Sequence, residues 1–136
     1  MLSWMKGAKP RPGVGRKVIL VGHCTSDRFA LAGALKRAVP GAALEKVNDD
    51  AHLDAVRTPE HVWLVNRELD GRFHDDCGIE LIKRTATQPD APILILVSDH
   101  DDAQDHATKL GAKAGFGKSA LRADETKTII EAAVLG

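Results

Sequence analysis

The sequence predicts an α/β fold, with one five-stranded parallel sheet covered by helices on both faces. Three observations carry this. Short, near-continuous aliphatic runs recur at 17–22 (KVILVG), 62–65 (VWLV) and 93–97 (ILILV), the pattern of strands buried on both sides. Segments with apolar residues at helical spacing lie between them. The connections are short, so strand and helix alternate five times, which favours right-handed crossovers and a parallel sheet.

Taken in order, residues 1–16 (MLSWMKGAKPRPGVGR) read as a flexible basic tail, because Gly, Pro and Lys/Arg break any period. Lys17 to Gly22 is the first strand. A helix follows, with Thr25 or Ser26 as its expected N-cap and Leu31, Leu35 and Ala38 as its apolar stripe. Pro40-Gly41 stops it. Ala43 to Val47 is a weaker strand. Asn48 or Asp49 then caps a short helix carrying Leu53 and Val56. Val62 to Val65 is the third strand, extended by Asn66. A polar loop runs to Cys77, and a helix carrying Ile79, Leu81 and Ile82 ends near Gln88-Pro89. The fourth strand is Ile93 to Val97. A short polar helix follows, striped by Ala103, Ala107 and Leu110 and stopped by Gly111. Ala114 to Gly117 is a Gly-weakened fifth strand. The last helix holds Ile129, Ile130, Ala133 and Val134. This order predicts a flavodoxin-like doubly wound three-layer sandwich over 17–136, with ligand chemistry at the carboxyl ends of the strands.

Composition bounds the function. The 136 residues suit one domain, and the near absence of aromatics (three Phe, two Trp, no Tyr) implies an aliphatic core. Nineteen basic and nineteen acidic residues cancel, so there is no general attraction to nucleic acid or anionic membrane. Residues 1–16 hold Lys6, Lys9, Arg11 and Arg16 and no acid, which leaves fifteen basic against nineteen acidic residues in the rest. Cys24 and Cys77 form no CxxC, which fits a reducing cytoplasm. The N-terminus lacks a signal-peptide apolar stretch, and the longest apolar run, Ala91 to Val97, is too short to span a bilayer.

An amide (Asn66), a hydroxyl (Ser98) and an amine (Lys118) close the third, fourth and fifth strands. With GIEL at 78–81 and GAKAGFGKS at 111–119, this constellation resembles the receiver domain of bacterial two-component response regulators over about 17–135. The resemblance implies a site with five positions. An acidic pair closing strand one holds Mg²⁺; here Gly22 and His23 stand there. An Asp closing strand three accepts the phosphoryl group; here it is Asn66. The phosphate-binding hydroxyl and amine are kept as Ser98 and Lys118. Gly115 falls where an aromatic switch residue usually stands, and Ser119 replaces a usual Pro. The loop from Arg67 to Cys77 is longer and more polar than usual.

A carboxylate is an anionic nucleophile that can form an acyl phosphate; a neutral amide does not. Mg²⁺ needs hard oxygen ligands, which neither a Gly nor an imidazole supplies. The expectation is a degenerate receiver with no catalytic residue and no cofactor. It would act in the cytoplasm of a bacterium as a phosphorylation-independent interaction module. Its face of helix four, strand five and helix five would meet a signalling protein, with a homodimer left open. No DNA-binding output domain is expected after residue 136, so any effect is expected to pass through a separate protein. Lys118 is expected to donate to Asn66 and Ser98, or to pair with Asp99 or Asp70.

Other chemistries fit these residues less well. Glu68 or Asp70 as a displaced acceptor lacks the in-line placement that phosphotransfer needs. Three loops carry metal-ligand types: His23-Cys24, His74-Asp75-Asp76-Cys77 and Asp99-His100-Asp101-Asp102. They match no compact zinc spacing, and their acids suit helix N-termini. The two Cys also suit small buried positions. Ala112 to Ser119 (AKAGFGKS) approximates a P-loop, but a helix rather than a strand precedes it. Gly13-x-Gly15 precedes the first strand, where it carries no dinucleotide signal. His52, His61 and His106 belong to the surface and complete no Ser-His-Asp set.

Overall fold

The computed structural model describes residues 15–136. Five strands form one sheet in the order β2-β1-β3-β4-β5, all parallel: β1 (Lys17–Val21), β2 (Leu44–Val47), β3 (His61–Asn66), β4 (Ile93–Val97) and β5 (Lys113–Phe116). Five helices alternate with them: α1 (Thr25–Ala38), α2 (Asp50–Ala55), α3 (Gly78–Ala86), α4 (Asp101–Lys109) and α5 (Asp124–Leu135). A single 3₁₀ turn, Lys118–Ala120, follows β5. This is the flavodoxin-like doubly wound order, one of those that right-handed crossovers allow.

Side chains alternate along the strands into two cores. Val18, Leu20, Val62, Leu64, Ile95 and Val97 pack under α1 and α5 with Leu31, Leu35 and Ile130. Ile19, Val21, Trp63, Val65, Leu94 and Leu96 pack under α2, α3 and α4 with Leu53, Leu81 and Ala107. β1, β3 and β4 are therefore buried on both faces, which is why their sequences lack alternation. The core is not purely aliphatic: Trp63 is fully buried, and Phe116 is buried beneath α5.

Several boundaries differ from expectation for local reasons. The N-cap of α1 is Cys24, not Thr25 or Ser26, and its side chain caps nothing. Asp49 caps α2, its carboxylate accepting the His52 N–H at 2.8 Å. Gly111 stops α4 at φ 118°, a left-handed conformation that other residues resist. Residues 1–14 of the expected tail lie outside the described residues. Gly15 and Arg16 belong to the fold, because the Arg16 N–H donates to the Val134 carbonyl at 2.9 Å and its guanidinium to that of Gly136 at 2.7 Å.

Between β4 and β5 the register slips. Ile95 pairs with Lys113 but Val97 with Phe116, so β5 carries one extra residue and bulges at Ala114-Gly115. Among the described residues, no helix is long and apolar enough to cross a membrane.

Candidate functional site

The parallel strands all end at one edge, and an open cleft of about 380 Å³ lies there. Cys24, Asp27, Asn66, Glu68, Asp70, Ser98, Asp99, His100 and Lys118 line it, with Arg67 and Val97. Asn66, Ser98 and Lys118 thus meet as the strand order requires. Their contacts are not those expected of them.

Asn66 is buried at the end of β3. Its Nδ2 donates to the Gly22 carbonyl at 2.9 Å and to the Glu68 carbonyl at 2.7 Å. Both protons of the amide are used on backbone oxygens from the first and third strand loops. An aspartate here would place carboxylate oxygen against the same two acceptors.

Lys118 is not paired with Asn66, Ser98, Asp99 or Asp70. It donates to Asp27 Oδ2 at 2.6 Å, tying the end of β5 to the first turn of α1. The Lys118 ammonium holds the Asp27 carboxyl below the ordinary range, with the Cys24 thiol contributing. Asp27 was missed because it sits in a helix rather than at a strand end. Its signal was a first-turn acid in a helix that opens at the functional edge. Asp99 is held by Ser119 instead: its Oδ1 accepts the Ser119 N–H at 3.1 Å and hydroxyl at 2.7 Å, which lowers its pKa. A Cβ at Gly117 would collide with that carboxylate. Ser98 Oγ accepts the His100 N–H at 3.1 Å and so serves the start of α4.

His23 does not face the cleft. It is fully buried, and its Nε2 lies 2.8 Å from the Leu64 carbonyl. A carbonyl only accepts, so Nε2 carries the proton and Nδ1 is the bare nitrogen, which is buried without a partner. Burial above all, with the Lys118 and Arg28 charges, lowers the pKa to about 4 against the opposing pull of the Leu64 hydrogen bond and the Asp27 charge. The ring is neutral at physiological pH. Gly22 adopts φ 74°, and Leu69 lies over it so closely that a Cβ would meet the Leu69 methyl at 2.7 Å. The loop carrying Leu69 is fixed: the Asp70 N–H donates to the Gly22 carbonyl at 2.9 Å, and the Arg72 N–H to that of Asn48 at 2.8 Å. Asn48 Nδ2 adds a bond to the Asp70 carbonyl at 2.9 Å.

The Mg²⁺ that the resemblance implies does not fit these residues. The two carbonyls pointing inward are already satisfied by the Asn66 amide, no carboxylate replaces the acidic pair, and His23 is a buried donor. The three candidate metal loops also stay apart in purpose. Asp75 pairs with Arg84 at 2.7 Å, the His74 N–H donates to Asp50, and Cys24 and Cys77 are half-buried N-caps rather than core residues. Among the described residues, no three His, Cys, Asp or Glu side chains converge to hold a metal ion. The P-loop-like segment 112–119 spans β5 and the 3₁₀ turn, not a strand-to-helix phosphate cradle.

Gly115 sits in the β5 bulge, where its missing side chain leaves room that Gln104 of α4 fills. Sequence reading offered no sign of Gln104, because its role depends on the register slip.

No protein-family model matches the chain, and no curated protein sequence matches it. The fold is nonetheless that of a receiver domain. The non-phosphorylated receiver domain of the stress response regulator RcsB from Escherichia coli superposes with TM-score 0.68 at 15% identity, over 87% of this chain and 92% of that one. The receiver domain of NtrX from Brucella abortus gives 0.66 at 22% identity, over 86% and 97%. The signal receiver domain of a DNA-binding response regulator (merR) from Colwellia psychrerythraea 34H gives 0.60 at 20% identity, over 87% and 96%. The likeness is one of fold.

Proposed function

We propose that the chain is a receiver-like signalling module that binds a protein partner without being phosphorylated. It acts as a binding domain in a bacterial cytoplasmic regulatory system and not as an enzyme. The observation that carries this is Asn66, whose amide hydrogens are both spent on the Gly22 and Glu68 carbonyls. The group at the acceptor position is neutral, and its two donors are held by backbone oxygens. An uncharged amide is a far weaker nucleophile than the carboxylate that forms an acyl phosphate. The Lys118–Asp27 pair supports the same reading, since the cation that would receive a phosphate has an internal carboxylate instead.

The proposed contact surface is the face of α4, β5 and α5. It includes a shallow apolar groove lined by Ile93, Ile95, Ala114, Ile129, Ala132 and Ala133, with Lys113 at its rim. A protein with an apolar side chain and an acid would suit it; a second copy of the chain is the other occupant considered. Incubation with acetyl phosphate and Mg²⁺ tests the chemistry. Intact-mass measurement should show the unmodified chain. Stoichiometric gain of a phosphoryl group on Glu68, Asp70 or any other acid would defeat the reading.

A further inference from the structure

Gln104, on the inner face of α4, makes an unusual set of contacts. Its Nε2 lies 2.9 Å from the Leu96 carbonyl, 3.0 Å from that of Ser98 and 3.4 Å from that of Phe116. All three neighbours are acceptors, so the amide orientation is fixed: the flipped form would set oxygen against three oxygens. Two protons serve the two nearer carbonyls. Leu96 lies in β4 and Ser98 just beyond it, beside the register shift between β4 and β5, where the Ser98 N–H donates to the Phe116 carbonyl at 2.9 Å. The amide therefore ties α4 to the end of β4 beside the bulge.

The repair requires Gly115. A Cβ there would overlap the Leu96 carbonyl oxygen and lie 3.0 Å from Gln104 Nε2. No larger residue at 115 could share this space with the amide. Gln104 Oε1 is buried with no hydrogen-bond partner, so the amide keeps its place at the cost of one unsatisfied acceptor. Only the gain from sealing the carbonyls offsets that.

We propose that Gln104 is a positioning residue that latches α4 onto the β4–β5 bulge and holds the α4–β5 face in one arrangement. The space in which a side chain at 115 would move is filled by the latch, so the face does not respond to events in the cleft. This deepens the proposed function, on which its regulatory meaning rests, by naming what keeps the binding face constant.

Amide hydrogen exchange on the full chain tests it. Gln104→Met keeps the length and removes the donor. It should speed exchange of the α4 amides and the Ser98 amide by about tenfold or more, the effect of losing roughly one net hydrogen bond. The slowest amides of β1 and β3 should change only as much as the loss of global stability in urea requires. Gly115→Ala should produce the same local pattern by displacing the amide. In the unsubstituted chain, the Gln104 side-chain NH₂ should exchange about tenfold more slowly than that of Gln88. Equal side-chain rates, or α4 amides no faster than the core in Gln104→Met, would overturn the latch. Neither result bears on phosphorylation, and phosphoryl uptake by the unsubstituted chain would defeat the functional reading while leaving the latch intact.

Discussion

Asn66 exchanges a charge for two donors. Its amide bridges the Gly22 and Glu68 carbonyls, the first of which also accepts the Asp70 N–H. Asn66→Asp should therefore not restore phosphorylation, since Gly22 and His23 supply no carboxylate to hold a metal beside it. It should instead destabilise the fold by about 1–3 kcal/mol, the usual penalty for unsatisfying buried polar groups. Urea unfolding and intact mass after acetyl phosphate treatment check both halves. His23 makes a second residue-level prediction. Its folded pKa of about 4 lies below the ordinary 6.5, so the unfolded chain takes up the proton first. Stability from this group is level above about pH 6.5 and falls as pH drops towards about 4, by on the order of 3 kcal/mol in total. Unfolding of His23→Leu over that range should show the slope reduced by the His23 share. Asp27 and Asp99, with depressed pKa values, add their own losses at lower pH and keep them in the variant. At this scale the sequence exposed which residues close the strands, because strand ends can be read from aliphatic runs. The partner of Lys118 could not be read, because Asp27 is 91 positions away and meets it only across the folded edge.

At the level of elements, the helices differ in how firmly they are started. α3 begins at Gly78, whose backbone presses on the Asn66 carbonyl so closely that a Cβ would overlap it. Gly78→Ala should push α3 away from β3 and cost roughly 1–3 kcal/mol, the range of overpacking, measured as a lowered urea midpoint. α1 begins at Cys24, in extended conformation but with no side-chain cap. Cys24→Ser places a better acceptor in the same position and should stabilise by about 0.5–1 kcal/mol in the same assay. Expecting the cap one or two residues later followed from Thr25 and Ser26 being the usual capping types; the chain instead enters the helix directly from the Gly22 turn. β1, β3 and β4 were legible because double burial demands apolar residues throughout, whereas β2 and β5 are only partly buried. The β5 bulge was not, because a single extra residue leaves composition unchanged and shows itself only in the pairing with β4.

For the whole molecule, alternation and short connections favoured a flavodoxin-like doubly wound sheet, and the observed order is 2-1-3-4-5. That order brings the ends of β1, β3, β4 and β5 to one edge and makes a cleft whatever its residues are. What fills the cleft is particular to this chain: an amide at the centre, a Lys118–Asp27 pair on one side, a fixed loop over Gly22, and a latch behind Gly115. Each of these contacts is made within the chain. On the proposed function, the binding face is expected to be the same in all conditions that leave the molecule folded. Recording the amide NMR spectrum of the full chain before and after adding beryllofluoride with Mg²⁺ tests this most directly. The spectrum should stay unchanged at saturating additions. Saturable shifts centred on Asn66, Ser98 and Lys118 and spreading into α4 and β5 would contradict it.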